Sequence, residues 1–313
     1  MERRDFLRAV GACAAVGALP FPAAAAERKL RIALTPGSIG VGAKSQMAFN
    51  DLAQRHGFEA VEPRGAELAA MMAAQLAETL ADLQAKKLVW AAAGLPVDFR
   101  KDDAAFREGL AGLPAIAAGL QRAGASRVGT WISPSHDRLT YRENFKQHAA
   151  RLREVATILK DHGLRLGLEY VGTRHALLGR RYPFLHTMAE TRELIAEIGT
   201  GNAGLVLDSW HWWTAGDTEA DLLALRNEDV VSVDLNDAPA GIAREEQRDN
   251  RRELPCATGV IDAGVFLNAL QKIGYDGPLR PEPFNAALND LDDDAACAAS
   301  AAALRKAVAL IKS

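Results

Sequence analysis

Four apolar runs in this sequence each end on a carboxylate, and this pattern restricts the folds that the chain can adopt. The four acids are Glu169, Asp208, Asp234 and Glu282. A short β-prone run that ends on an acid is typical of a buried strand with a charge at its C-terminal end. Because a buried carboxylate is costly without a compensating cation or proton, four such strand ends predict one shared cation.

The ligand type indicates which cation this would be. Carboxylate oxygens are hard ligands of the kind that Mg²⁺, Mn²⁺ and related divalent ions prefer. The sequence therefore predicts a divalent metal cofactor, Mn²⁺, Mg²⁺ or a similar ion, held by Glu169, Asp208, Asp234 and Glu282. The alternative is that one or two of these acids cap loops or pair with arginines.

Predicted strands and helices alternate along the chain. The strands are predicted at 30–34, 60–62, 88–92, 127–132, 165–170, 204–208, 230–235 and 278–282. The helices are predicted at 43–56, 66–85, 103–123, 141–162, 187–198, 218–225, 262–273 and 293–311. Eight such units predict an α/β fold, a closed (β/α)₈ TIM barrel of one domain. An open doubly wound sheet would usually carry a G-x-G-x-x-G phosphate loop, which this sequence lacks.

The N-terminal segment is predicted to be an export signal and not part of the fold. Arg3 and Arg4 precede an apolar stretch at 9–21, which alanines follow. This order is typical of a signal peptide, and the arginine pair resembles a twin-arginine signal. The domains are then a signal at 1–26 and a barrel at 27–313, in the periplasm. An ordinary secretory signal is the alternative, and the apolar run is shorter than the ~20 residues of a membrane span.

The composition excludes several classes of partner and site. A net charge of −3 and a pI of about 6.2 leave no basic footprint for nucleic acid. The 49 % hydrophobic and 25 % charged residues are ordinary for a soluble globular protein. The three cysteines show no CxxC or Cys/His zinc spacing, which disfavours a thiolate metal site.

Four further side chains near predicted strand ends are candidates for binding a substrate. His211 follows Asp208 by three residues, so its imidazole reaches the same pocket or packs under the neighbouring tryptophans. Trp210 offers a flat wall for a sugar ring, or packs at the barrel rim. His136 follows the fourth strand. Glu62 ends the second strand, where it faces the pocket or forms a structural salt bridge.

Several short motifs, taken together, carry a family resemblance. They lie at 57–62, 167–169, 204–211, 233–237, 259–262 and 274–284. On these segments the chain resembles the sugar phosphate isomerase/epimerase superfamily, the xylose-isomerase-like barrels that include ketose 3-epimerases and inosose dehydratases. The resemblance extends from about residue 30 to the C-terminus. It implies a TIM barrel with a metal site at the C-terminal ends of the strands.

The resemblance also implies a ligand set. Epimerases of the superfamily hold the metal with Glu, Asp, His and Glu at the matching strand ends. Three of these positions are matched here, by Glu169, Asp208 and Glu282. Asp234 stands where the family usually has histidine, which makes the set all-carboxylate and favours Mg²⁺, Mn²⁺ or Ca²⁺. Alternatively, Asp234 supports the ligands and Asn236 or Asp237 takes part of its role.

The implied reaction is proton transfer through an enediolate. Glu169 and Glu282 would act on opposite faces of the carbon beside a carbonyl, and His211 would hold a substrate hydroxyl. Arg252, in the long polar loop at 237–259, would bind an oxyanion. The resemblance thus predicts a metal-dependent isomerase or epimerase of a sugar or keto-sugar. The alternatives are a lyase or dehydratase on a keto-sugar or inosose, and a non-catalytic carbohydrate-binding barrel. A homo-oligomer is compatible with the resemblance, but no surface patch identifies one.

Overall fold

The computed structural model describes residues 30–312, so the predicted export signal lies outside the described residues. The described strands are β1 (Arg31–Leu34), β2 (Ala60–Val61), β3 (Val89–Trp90), β4 (Ala93–Gly94), β5 (Arg127–Trp131), β6 (Ser135–His136), β7 (Arg165–Glu169), β8 (Tyr182–Pro183), β9 (Ala203–Asp208), β10 (Val230–Leu235) and β11 (Pro278–Pro281). The helices are α1 (Gln46–Arg55), α2 (Gly65–Ala70), α3 (Ala73–Ala85), α4 (Asp103–Arg122), α5 (Tyr141–Asp161), α6 (Arg174–Leu177), α7 (Met188–Ile198), α8 (Ser209–Ala215), α9 (Glu219–Leu223), α10 (Ala263–Lys272), α11 (Ala286–Asn289) and α12 (Asp293–Val308). Short 3₁₀ turns lie at Pro36–Ile39, Asn227–Asp229 and Arg244–Glu246.

Nine of these strands form one parallel sheet that closes on itself. Their order is β3, β2, β1, β11, β10, β9, β7, β5 and β4. The two end strands, β3 and β4, are separated only by Ala91 and Ala92. β3 pairs with β2, and β4 pairs with β5. The segment 89–94 therefore acts as one barrel strand that joins both ends of the sheet, which confirms the predicted TIM barrel.

The helices surround the barrel, because buried parallel strands need cover on their outer face. Every residue of β10 is buried, and so is all of β9 except Ala203. The long helices α4 and α5 bury one side, with Phe106, Leu113 and Leu152 among the buried residues. This arrangement leaves the C-terminal ends of the strands at a single rim, where the acids of the sequence pattern lie.

The observed elements differ from the predicted ones at one helix and at several short elements. The helix predicted at 66–85 is interrupted at Met71 and Met72, which separates α2 from α3. At this point α2 packs closely on α4, where a Cβ added to Gly119 would lie 2.5 Å from the Ala69 Cα. The short elements β6, β8, α6, α8 and α11 were not predicted, since their few residues carry no periodic signal.

Two further features concern thiols and membranes. Cys256 and Cys297, the cysteines among residues 30–312, are free. Within the same span, the helices are too short or too polar to cross a lipid bilayer.

Candidate active site

The four acids of the sequence pattern meet at the C-terminal rim of the barrel. Glu169 and Asp208 are the last residues of β7 and β9, Asp234 is the penultimate residue of β10, and Glu282 directly follows β11. One oxygen of each carboxylate lies within 4.8 Å of the oxygens of the other three. The first three side chains are buried, and the Glu282 side chain is 14 % exposed. The structure thus brings together the four residues that were expected to share a cation.

Asp208 is held in place by residues of α8 and of the segment that follows β10. Its Oδ2 accepts a hydrogen bond from Arg252 Nη1 at 2.6 Å, and its Oδ1 accepts one from Asn236 Nδ2 at 3.0 Å. The same Oδ1 accepts from the backbone N–H of Trp210 at 2.7 Å, which caps α8. Asn236 also accepts from the backbone N–H of Glu282 at 2.9 Å. Asn236 therefore ties two acid-bearing strands to each other.

Two arginines lie within the acidic cluster. Arg252, which is 2 % exposed, donates to Asp208 and to Asp249 Oδ1 at 2.7 Å. Arg280 donates through Nε and Nη2 to both oxygens of Asp234, the Nη2 contact measuring 2.6 Å. The four clustered carboxylates and Asp249 outnumber the two guanidinium groups by three. A divalent cation would offset most of this excess negative charge, and protons on the acids would do the same.

The pKa shifts in the cluster have burial as their main cause. Burial raises the pKa of Glu169 well above its usual value, and the nearby Glu282 carboxylate raises it further. Burial raises the pKa of Glu282 to about 7, with Asp234 adding to the shift. The pKa of Asp234 is also raised by burial, although Arg280 opposes this. Without a cation, the cluster would therefore hold protons on its acids near neutral pH.

The raised pKa of Glu282 predicts a pH-dependent stability of the metal-free protein. An unfolded glutamate releases its proton near pH 4.5, whereas folded Glu282 holds it until about pH 7. The folded state therefore binds more protons in this window, and stability falls as pH rises through it. We expect wild type to lose up to about 1.4 kcal/mol per pH unit relative to Glu282→Gln. Thermal unfolding in chelator from pH 4.5 to 7.5 measures this, and equal slopes in both proteins would contradict it.

A cavity of about 470 Å³ opens onto the acidic cluster. Glu169, His211, Arg252 and Glu282 form its inner end. The remaining wall is largely apolar and includes Trp131, Pro134, Val171, Ala176 and Phe284, with Ser133, Ser135, His175, Arg180 and Asp249 as polar members. A cavity of this size, with charged groups at one end and aromatic walls, suits a small polar organic ligand.

His211 is neutral in this environment. Its side chain is almost fully buried, and burial together with Arg252 lowers its pKa to about 4. Its Nδ1 accepts a hydrogen bond from the backbone N–H of Gly172 at 3.2 Å. Its Nε2 lies 3.0 Å from Arg252 Nη2 and 3.9 Å from Glu169 Oε1. The imidazole therefore sits at the cavity end as an uncharged group, which agrees with the first of the two placements predicted for His211.

The other expected binding residues lie outside the cavity wall. Trp210 is fully buried, and its ring lies behind Arg252, whose Cζ is 5.6 Å from the ring centroid. His136 lies in β6, where its Nδ1 accepts hydrogen bonds from two backbone N–H groups of the following loop. Glu62 is partly buried, and burial raises its pKa although the charge of Arg280 opposes this shift.

The structure places two unpredicted residues in the site and excludes one candidate ligand. Arg280 and Asp249 belong to the site but were not predicted, although Arg280 precedes Glu282 by two residues and so points to the same face. Asp237 is directed away from the cluster. Its carboxylate accepts hydrogen bonds from four backbone N–H groups of its own loop, those of residues 238, 258, 259 and 261. Asp237 therefore organises the loop and is not available as a ligand.

Comparisons with known proteins give relatives of this chain. An inosose isomerase of Bacillus velezensis is 26 % identical over 155 residues, which cover 47 % of this chain and 50 % of that protein. A 3-dehydroshikimate dehydratase of Pseudomonas aeruginosa is 29 % identical over 136 residues, 43 % of this chain and 20 % of that protein. The chain thus spans half, or less, of the length of these curated relatives. Both are enzymes.

Solved structures agree on the fold, and a family model agrees with them. A xylose isomerase domain protein of Alicyclobacillus acidocaldarius is 34 % identical, with a TM-score of 0.78, covering 90 % of this chain and 99 % of that one. The IOLI protein with a bound zinc atom is 19 % identical, with a TM-score of 0.74, covering 91 % and 100 %, and shows the fold alone. The model described as "Xylose isomerase-like TIM barrel" matches residues 51–311. With most of its length matched, and with the strand-end acids in place, this chain belongs to the xylose isomerase-like TIM barrel family.

Proposed function

We propose that this protein is a divalent-metal-dependent isomerase or epimerase that acts on a sugar or keto-sugar, such as an inosose, by proton transfer through an enediolate. The observation that carries the proposal is the convergence of four carboxylates at the inner end of a substrate-sized cavity. The name of the Bacillus velezensis relative, an inosose isomerase, supports this class of reaction.

The residues of the cluster fit a divalent cation. A divalent ion would offset most of the excess negative charge, and the four oxygens are close enough to share it. Oε1 of Glu169 is buried and has no hydrogen-bond partner among residues 30–312, a costly state that a ligand would relieve. We assign Glu169, Asp208, Asp234 and Glu282 as the holding residues. A bound ion would polarise a substrate carbonyl and stabilise the negative charge of an enediolate.

Glu169 and Glu282 are the groups suited to move the proton. Their pKa values are raised by burial, towards neutral pH for Glu282, which matches the requirement for a carboxylate that both takes and returns a proton. One would remove the proton beside the carbonyl, and the other would deliver it to the opposite face. Neutral His211 would hydrogen-bond a substrate hydroxyl, and Arg252 would keep Asp208 oriented while facing the cavity.

A lyase reaction is a second candidate for the same residues. The 3-dehydroshikimate dehydratase relative favours it, since loss of a β-hydroxyl starts from the same proton removal. The remaining alternative is a carbohydrate-binding barrel that catalyses no reaction. The observation relevant to it is that Asp234, which stands where the superfamily usually has a histidine ligand, pairs with Arg280.

We further propose that the chain is exported to the periplasm. The two arginines at 3 and 4 support this proposal, and cell fractionation would test it.

Metal analysis and solvent exchange test the proposed function together. We expect about one divalent ion per chain, because the four carboxylates converge on one shared site, and we expect deuterium from D₂O in recovered ketoses. Elemental analysis and proton NMR of a ketose panel measure the two results. Loss of β-hydroxyl in the products would favour the lyase. Binding of sugars without exchange or elimination, at full metal loading, would contradict a catalytic role.

A further inference from the structure

A second, smaller cavity of about 110 Å³ lies inside the barrel, beside the acidic cluster. It shares Trp131, Glu169 and Glu282 with the active-site cavity. Its strand walls are formed largely by small residues, Ala92, Ala93, Gly94 and Gly129, with Val206. TIM-barrel interiors are usually filled by bulky branched side chains at such positions. The small residues therefore keep open a chamber, which we name the inner chamber, next to the two glutamates.

Two buried polar groups without protein partners face the inner chamber. Ser232 Oγ and Glu169 Oε1 are buried and have no hydrogen-bond partner in the described part of the chain. Ser232 precedes Asp234 by two residues in β10, so both side chains point into the barrel. Arg280, whose Nε and Nη2 donate to Asp234, also lines the chamber. Unpaired buried polar groups are costly, so their convergence indicates a polar occupant.

The charged side chains around the inner chamber favour a neutral ligand group that both donates and accepts hydrogen bonds. Arg280 is already paired with Asp234, so an anion would gain little from it while facing Glu169. A cation would face the Arg280 guanidinium. A hydroxyl group avoids both penalties, because it can accept from Arg280 and donate to Glu169 or Ser232. The volume is roughly three to four times the ~30 Å³ share of a water molecule, which is enough for a hydroxymethyl group but not for a sugar ring.

We propose that the inner chamber is a subsite for the hydroxymethyl arm of the substrate. Glu169 and Glu282 stand where the two cavities meet, so a carbon placed between them has one arm on each side. The short hydroxylated arm enters the inner chamber, and the remainder of the molecule occupies the 470 Å³ cavity. This inference rests on the proposed function for the nature of the ligand, and goes beyond it in assigning specificity to Ser232 and to the small residues.

The experiment compares the binding of a ketohexose with that of its 1-deoxy counterpart by calorimetry on the metal-loaded full-length protein. We expect wild type to bind the ketohexose about five- to tenfold more tightly, the worth of one or two buried hydrogen bonds. Ser232→Ala should weaken ketohexose binding about fivefold and leave the 1-deoxy sugar unchanged. Gly129→Ala adds a methyl that would lie 3.4 Å from Val206, an ordinary contact, and should weaken ketohexose binding by narrowing the chamber.

A matched control is available on α12. Ser300 is also fully buried with an unpaired Oγ, so Ser300→Ala repeats the chemical change away from the chamber and should leave both affinities unchanged. Equal binding of the two sugars by wild type, no binding of either, or equal weakening of both by Ser232→Ala would overturn the subsite, and the chamber would then hold solvent only. Deuterium exchange is followed separately. A chamber-dependent preference without exchange refutes the proposed function alone, and exchange without the preference refutes the subsite alone.

Discussion

Glu169→Gln is expected to reduce deuterium exchange from solvent into a ketose substrate by about 10²–10⁴-fold, the usual contribution of a positioned acid or base. Glutamine keeps the shape of the side chain but cannot accept the proton at the cavity end. Glu282→Gln should cause a loss of similar size if the two glutamates act on opposite faces of one carbon. Proton NMR of the substrate in D₂O measures the rate for each variant.

The control is Glu78→Gln, which makes the same change on the exposed surface of α3 and should leave the exchange rate unchanged. Bound metal is measured in every variant, since Glu169 and Glu282 are also assigned as ligands. A variant that keeps its metal and loses exchange supports the base role directly. Unchanged exchange in both variants would remove the two-glutamate mechanism.

Arg280→Met is expected to destabilise the metal-free protein by about 3–5 kcal/mol, the cost of leaving a buried charge without its partner. Asp234 has no exposed surface, and Arg280 binds both of its carboxylate oxygens. The double variant Asp234→Asn with Arg280→Met should recover much of this loss, because it removes both charges together. Urea unfolding in chelator measures the free energy of unfolding of all three proteins.

Arg153→Met is the matched control for this prediction. Arg153 and Glu197 form an ion pair with side chains 46 % and 58 % exposed, so the change should cost no more than about 1 kcal/mol. If Arg280→Met costs no more than Arg153→Met, Arg280 does not compensate the Asp234 charge. If the double variant is as unstable as Arg280→Met, the loss arises from packing and not from an unpaired carboxylate.

The barrel and the acidic cluster could be predicted from the sequence because both follow from a repeated pattern of apolar runs, acids and helices. Apolar runs that end on Glu169, Asp208, Asp234 and Glu282 mark the C-terminal ends of buried strands, and parallel strands place these ends at one rim. Apart from the closure of the barrel, the eight strand–helix units could be predicted without knowledge of contacts between distant segments. One strand was predicted at 88–92, whereas the structure has the closing strand at 89–94, where Ala91 and Ala92 interrupt the regular pairing.

The remaining features depend on contacts between segments that are distant in sequence. The alternation of side chains could have placed Arg280 beside Glu282, but not its pairing with Asp234 on the adjacent strand. Trp210 was predicted either to form a wall for a sugar or to pack at the rim, and the sequence could not show that it is fully buried against Arg252. The break at Met71 and Met72 has no local breaker residue and results from close packing on α4. No local sequence pattern predicts any of these three features.

The position of Arg252 couples a surface loop to the chemistry at the rim. Arg252 belongs to the long segment 237–259, and its guanidinium anchors that segment to Asp208 and Glu282. Any cation drawn to the same carboxylates competes with this anchor. By thermodynamic reciprocity, a loop that is loosened should favour cation uptake, and a bound cation should loosen the loop to the same extent. Substitutions far out on this segment can therefore alter metal affinity without contacting a single ligand.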